Sequence, residues 1–160
     1  MKTTKNRGFS LIELIIVIAL IGVISSIAVL SWQRYVNNIN LKTAARDIVS
    51  EMQNCKTKAF SESRTYDILF TPGTNSSYTI SAPAAANFAA VNKTKLLEGY
   101  GSGIQMTGVS FVSSPASNII RFQARGTCSQ GTVTLTNSRN STATVTTEIT
   151  GKAYVTLNMQ

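Results

Sequence analysis

Glu13 is the only charged residue in an apolar run from Phe9 to Leu30. A charge in hydrocarbon costs a few kcal/mol even on mild insertion scales, so a segment that merely entered a membrane would gain nothing by carrying one. The chemistry open to Glu13 is charge pairing: a carboxylate in apolar surroundings that needs a cation. Little else in the chain suggests a reaction. Histidine is absent, which removes the commonest general base and metal ligand. The acids beyond the run, Asp47, Glu51, Glu62, Asp67, Glu98 and Glu148, stand singly, and only Asp47 and Glu51 share a helical spacing, which a solvated helix face explains. No nucleophile-elbow pattern occurs. Gly99-Tyr100-Gly101-Ser102-Gly103 is glycine-rich but has no helix start after it, so it reads as a flexible turn and not as a phosphate cradle. No metal, no cofactor and no enzymatic activity are expected.

The elements that must position Glu13 follow from the surrounding pattern. The run from Phe9 to Leu30 is roughly 22 residues, enough to cross a bilayer at about 1.5 Å per residue. Lys2, Lys5 and Arg7 precede it, and the positive-inside rule then places everything after Leu30 across the membrane. A competing reading is a secretory signal peptide cleaved after Ser26-Ile27-Ala28, with a mature start at Val29. The length of the run and its acid favour a retained helix. At 160 residues and 43% hydrophobic, the chain has room for one domain besides the anchor, and its net charge of +8 suits an anionic partner or plain solubility. Cys55 and Cys128 both fall on the exported side, where an oxidising compartment favours a bridge closing a loop of about 70 residues, worth roughly 4 kcal/mol by chain entropy. A pair of buried free thiols is the alternative.

Nothing forces the apolar helix to stop at Leu30, since no proline occurs before Pro72. Leu41, Ala45, Ile48, Met52, Cys55 and Ala59 recur at steps of four and three, one face of an amphipathic helix, while Arg46, Asp47, Lys56 and Lys58 take the other. After Phe60 the period changes to two. Thr65–Phe70 and Ser77–Ile80 flank Pro72-Gly73 as a hairpin, and the alanine-rich stretch Ala82 to Ala90 reads as a loop over the sheet. Further strands are expected at Lys93–Leu97, Ile104–Val112 with an interruption near Gly108, Asn118–Ala124, Gly131–Thr136, Thr142–Ile149 and Lys152–Leu157. Val133, Leu135, Val145, Ile149, Ala153, Val155 and Leu157 are expected to share one buried face. The fold class is α+β: one long amino-terminal helix packed on an antiparallel β-sheet head.

The segment Gly8-Phe9-Ser10-Leu11-Ile12-Glu13, behind its basic leader and before its apolar run, resembles the processing site of type IV prepilins and of the pseudopilins of type II secretion. The resemblance implies a leader of residues 1–8, cut after Gly8 by prepilin peptidase, which also methylates the new amino terminus at Phe9. It implies a transmembrane and assembly helix over 9–30, an amphipathic continuation over 31–60 and a periplasmic head over 61–160. Glu13, fifth in the mature chain, would neutralise the Phe9 α-ammonium of its own helix or of a neighbour and so tie charge pairing to assembly with other pilin or pseudopilin subunits. The implied location is the inner membrane, single pass, with the head periplasmic, and then a pilus or pseudopilus. Major pilins commonly carry proline where this chain has Leu30, so its helix need not kink there.

The last third, Phe122, Arg125-Gly126, Gly131-Thr132-Val133-Thr134-Leu135, a second Val- and Thr-rich strand and Thr150-Gly151-Lys152, is similar to the carboxy-terminal pattern of the GspH and FimT group. Some members resembling FimT bind DNA through a Gly-Arg-x-Arg sequence. Here that stretch reads Gly151-Lys152-Ala153-Tyr154, without the arginine forks suited to phosphate. Arg121, Arg125, Arg139 and Lys152 remain as candidate nucleic-acid contacts if they gather on one end of the head. A solvated rim is the competing reading.

Overall fold

The computed structural model describes residues 9–85, 87–101, 103–112 and 118–160, without the side chains of residues 27–31. One helix, α1, runs from Leu11 to Ser61, starting two residues later than the sequence suggests because the Ser10 carbonyl accepts the first amides, from Glu13 at 3.1 Å and Leu14 at 3.3 Å. Glu13 lies in the first turn and Lys58 in the last, each complementing the helix dipole. The helix ends without glycine. Ser63 takes a left-handed φ of 50°, and Arg64 N–H reaches back to the Ala59 carbonyl at 3.2 Å while Ser63 N–H reaches that of Phe60 at 3.4 Å, a Schellman closure.

The chain divides into two compact units, one through Val36 and one over Asn37–Gln160. In the first, α1 is apolar all round except at Glu13 and exposed from Leu11 to Ile24. In the second, the predicted stripe of Leu41, Ala45, Ile48, Met52, Cys55 and Ala59 is buried, with Ala44 added to it.

The head holds two four-stranded antiparallel sheets where the sequence suggested one. The first has the order β3-β2-β1-β5, from β1 (Tyr66–Thr71), β2 (Ser77–Ala82), β3 (Val91–Leu96) and β5 (Ile119–Phe122). The second has the order β4-β6-β7-β8, from β4 (Gln105–Phe111), β6 (Gly131–Thr136), β7 (Thr142–Thr147) and β8 (Ala153–Asn158). Period-two burial identifies inward residues but not the sheet they belong to. The expected hairpin at Pro72-Gly73 pairs β1 with β2, and the interruption near Gly108 is a register shift in the β4–β6 ladder. Gly99–Gly103 is more ordered than a flexible turn, because Leu97–Tyr100 forms a 3-10 helix there; Ser102 lies outside the described residues.

The sheets join through side chains and a few backbone bonds. Phe70 of β1 stacks on Phe111 of β4 at 5.7 Å between centroids and lies 6.1 Å from Tyr78. At the β1–β2 turn, Gly73 N–H donates to the Met106 carbonyl at 3.2 Å and Met106 N–H to Ser76 Oγ at 2.7 Å. Val133, Leu135, Ala143, Val145 and Ala153 fill the inner face of the second sheet. Ile149 does not join them: β7 ends at Thr147, which takes the inward place and donates to the carbonyls of Ser129 at 3.3 Å and Gly131 at 3.2 Å, leaving Ile149 59% exposed in the turn. Leu157 is likewise on the exposed side and Val155 only partly buried.

Candidate functional site

The amino-terminal constellation comes first. Gly8 lies outside the described residues. Phe9 is 79% exposed just ahead of α1, and Glu13 is exposed in the first turn. Every large apolar side chain described between them and Ile24 is open. The run expected to cross a bilayer is described without the side chains of residues 27–30, and among the described residues no helix is long and apolar enough to cross a membrane. Trp32 and Tyr35 follow at helical spacing, with ring centroids 6.2 Å apart.

The two cysteines do not form the expected bridge. Both are buried free thiols. Cys55 turns toward the first sheet, in a cleft shared with Tyr66, Ile80 and Val91. Cys128 lies beside the turn after β7 and donates to the Glu148 carbonyl at 3.1 Å. Burial, with the charge of Glu51, pushes the Cys55 thiol up to about 12. Burial also raises Cys128. Neither is a nucleophile near neutral pH.

Asp47 and Glu51 are not a solvated pair. Both hold Lys95 of β3, whose Nζ lies 3.0 Å from Asp47 Oδ2 and 2.7 Å from Glu51 Oε1. Asp47 Oδ2 also accepts from Tyr78 at 3.3 Å and from the Tyr100 hydroxyl. Burial pushes the Asp47 carboxyl up, but the bonds from Tyr100 and Lys95, the Lys95 charge and the Tyr78 bond together hold it below its ordinary value of 3.8. The bond to Glu51, against the opposing effect of burial, heads the causes that keep Lys95 above its ordinary range. A depressed carboxylate stabilises the fold above its unfolded pKa and ceases to do so as pH falls through the folded one. Asp47→Asn is therefore expected to lower Tm at pH 7, with its loss against the parent narrowing as pH falls below 3.8; thermal unfolding followed by circular dichroism from pH 7 into the acid range checks this.

A second polar knot fastens the loop after β2. Arg64 donates to the carbonyls of Pro83 at 2.7 Å and Ala89 at 2.8 Å, to Tyr66 Oη at 2.8 Å and to Glu62 Oε2 at 2.6 Å. Its guanidinium lies 5.0 Å from the Tyr66 ring centre and 5.4 Å from that of Phe88. This ties the alanine-rich connection between β2 and β3 to the end of α1; Ala86 is outside the described residues. The sequence signal was there, an arginine just past the helix end followed by two aromatics, but nothing in its spacing named the carbonyls.

The candidate nucleic-acid contacts do not gather. Arg121 is engaged bidentately by Asp67, both contacts at 2.8 Å, and Arg125 donates to Gln123 Oε1 at 2.9 Å. Arg139 lies in the β6–β7 turn and Lys152 in the β7–β8 turn, at opposite ends of the second sheet, roughly 20 Å apart for six-residue strands. The patch expected at one end of the head is therefore not formed by these four residues. Among the described residues, no group of His, Cys, Asp and Glu could hold a metal ion.

Known proteins resemble both parts. The prokaryotic N-terminal methylation motif matches residues 3–29. A fimbrial protein of Pseudomonas aeruginosa is 37% identical over 79 residues, covering 43% of this chain and 51% of the relative. The chain thus spans about half the length of the curated relatives it matches. Among solved structures, the minor pseudopilin EpsH from the type 2 secretion system of Vibrio cholerae superposes with a TM-score of 0.56 at 13% identity, covering 74% of this chain and 97% of that one. The type IV minor pilin FimU of Pseudomonas aeruginosa gives 0.53 at 14% identity, covering 72% and 87%. At these identities the likeness is one of fold.

Proposed function

We propose that this pilin-like chain, prepilin-type at its amino terminus and with the minor-pilin fold beyond it, is a minor structural subunit of the GspH and FimT group. It is a structural subunit and not an enzyme. The observation that carries the reading is the conjunction of Phe9 and Glu13, opening an exposed apolar helix, with a two-sheet head on the same helix. In this reading prepilin peptidase cuts between Gly8 and Phe9 and methylates Phe9. The apolar segment holds the chain in the inner membrane with the head outside until other pilin or pseudopilin subunits take it up, and the subunit helps to initiate or tip the filament. The new α-ammonium and the Glu13 carboxylate then sit at the edge of the same apolar segment, and each lowers the cost of the other.

Mass spectrometry of the full chain recovered from cells that contain a prepilin peptidase tests this. N-methylphenylalanine at Phe9 is the expected mature terminus. A mature chain beginning at Val29, or an uncut chain in the presence of active peptidase, overturns the reading. Whether the partner machine is a secretion pseudopilus or a pilus is decided by which set of subunits copurifies with the processed chain.

A further inference from the structure

Where α1 ends, its last turns meet the turn between β5 and β6 and the turn between β7 and β8. Together they leave a groove of about 560 Å³, within the range of ligand sites. Its walls are largely carbon. Phe60, a helix residue left 69% exposed, faces it along with Gln53, Thr57, Ala153 and the side chains of Lys56 and Lys152. Among the described residues, no carboxylate lines it. Lys56 Nζ donates to the Thr150 carbonyl at 2.8 Å, which fixes the ammonium at the rim and leaves two of its three hydrogens for a guest.

The shape is built into the backbone. Gly126 and Gly151, one in each turn, have φ of 85° and 74°, a conformation that side chains resist. A Cβ at Gly151 would also lie 2.8 Å from Lys56 Cδ and 3.0 Å from the Gly126 carbonyl. Glycine there is what lets the Lys56 stem lie across the turn and its charge reach the rim.

We propose that this groove docks an acidic segment of a neighbouring subunit, one apolar side chain entering against Phe60 and an adjacent carboxylate meeting Lys56 and Lys152. Charge complementarity chooses the partner: two cations, no acid and a carbon-lined trough fit an apolar residue beside a glutamate or aspartate. A nucleic acid would need a track of free cations, and that track is broken, with Arg121 held by Asp67 and Arg139 at the far end of its sheet. Only the source of the guest, a neighbouring subunit, rests on the function proposed above.

The test is fluorescence anisotropy of a labelled, acetylated peptide of alternating leucine and glutamate, titrated with the full chain in detergent micelles. Saturable binding that weakens with salt is expected, about tenfold weaker in Lys152→Glu, the scale of one charge-assisted hydrogen bond. Gly151→Val, which fills the groove, is expected to weaken it comparably. Phe60→Ala, a change at an exposed side chain that leaves folding intact, guards against a folding defect and is expected to weaken binding as well. Arg139→Glu, at the other end of the sheet, is expected to bind like the parent. Equal affinity of parent and Lys152→Glu, equal binding of the same peptide with lysine replacing glutamate, or tighter binding of oligothymidylate than of the peptide each overturns the proposal. The peptide is bound whether or not the chain is processed at Phe9, so failure here leaves the processing result untouched.

Discussion

In Glu13→Leu, the chain is expected to be inserted and cut between Gly8 and Phe9 at the parent level, yet to vanish from the filament fraction. Leucine extends the apolar run, so insertion loses nothing and the peptidase still meets its glycine and aromatic. What the variant lacks, on the proposed processing, is a partner for the α-ammonium that cleavage before Phe9 would create. Within a bundle of apolar helices, that unpaired charge costs about 3 kcal/mol, which lowers incorporation roughly a hundredfold. The large apolar side chains described from Leu11 to Ile24 are all exposed, and in the proposed assembly other subunits would supply the packing that surrounds the charge. Quantitative immunoblots of membrane and sheared-filament fractions read the two steps separately, and incorporation at the parent level removes Glu13 from any assembly role. Glu13→Gln, nearly the same size and uncharged, is expected to fail in the same way; if it assembles, volume matters and charge does not.

Phe70→Ala is expected to destabilise the head by about 3–5 kcal/mol, the usual cost of emptying a buried aromatic site. Phe70 is fully buried and its ring joins β1 of one sheet to β4 of the other through Phe111, so the cavity would open at the seam between the layers, where neither can collapse without moving the other. A loss of that size lowers Tm by more than about 10 °C. Leu69→Ala, one residue earlier on the outward face of the same strand, is expected to stay within about 0.5 kcal/mol of the parent. Thermal unfolding of both variants makes the comparison, and similar losses in the two would mean that the aromatic seam is not what binds the sheets.

Much of this architecture can be read from alternation alone. Val133 and Leu135 face inward between threonines, and β6 occupies the residues that pattern marks. Gly108 interrupts an otherwise regular run, and the ladder shifts register there. The stripe from Leu41 to Ala59 is buried as its spacing demands. The failures share one physical cause: periodicity reports the direction a residue faces and says nothing about what stands opposite. Two sheets could not be told from one. Ile149 continues the inward period of Val145 and Thr147, but the strand has already turned, with Gly151 N–H closing on the Glu148 carbonyl at 2.8 Å. Asp47 and Glu51 look like a solvated pair until Lys95, some forty residues on, arrives between them. Cys55 and Cys128 look like natural partners by compartment, yet both are buried free thiols. Ser63 shows the same limit locally, since a left-handed cap without glycine leaves no mark in the sequence.

The polar ties between α1 and the sheets also decide how the head answers to pulling. Asn38 accepts from Asn137 at 3.0 Å and Ser141 at 2.9 Å, Asp47 and Glu51 clasp Lys95, and Lys56 reaches Thr150. These fastenings are spread along the length of helix that belongs to the head, at both ends and in the middle. Tension applied along the helix axis therefore loads them side by side, as rivets in a lap joint, instead of peeling them one after another. A head drawn by its helix yields only when several bonds and the apolar stripe beneath them give way together, so its resistance to force exceeds what any one of those bonds supplies.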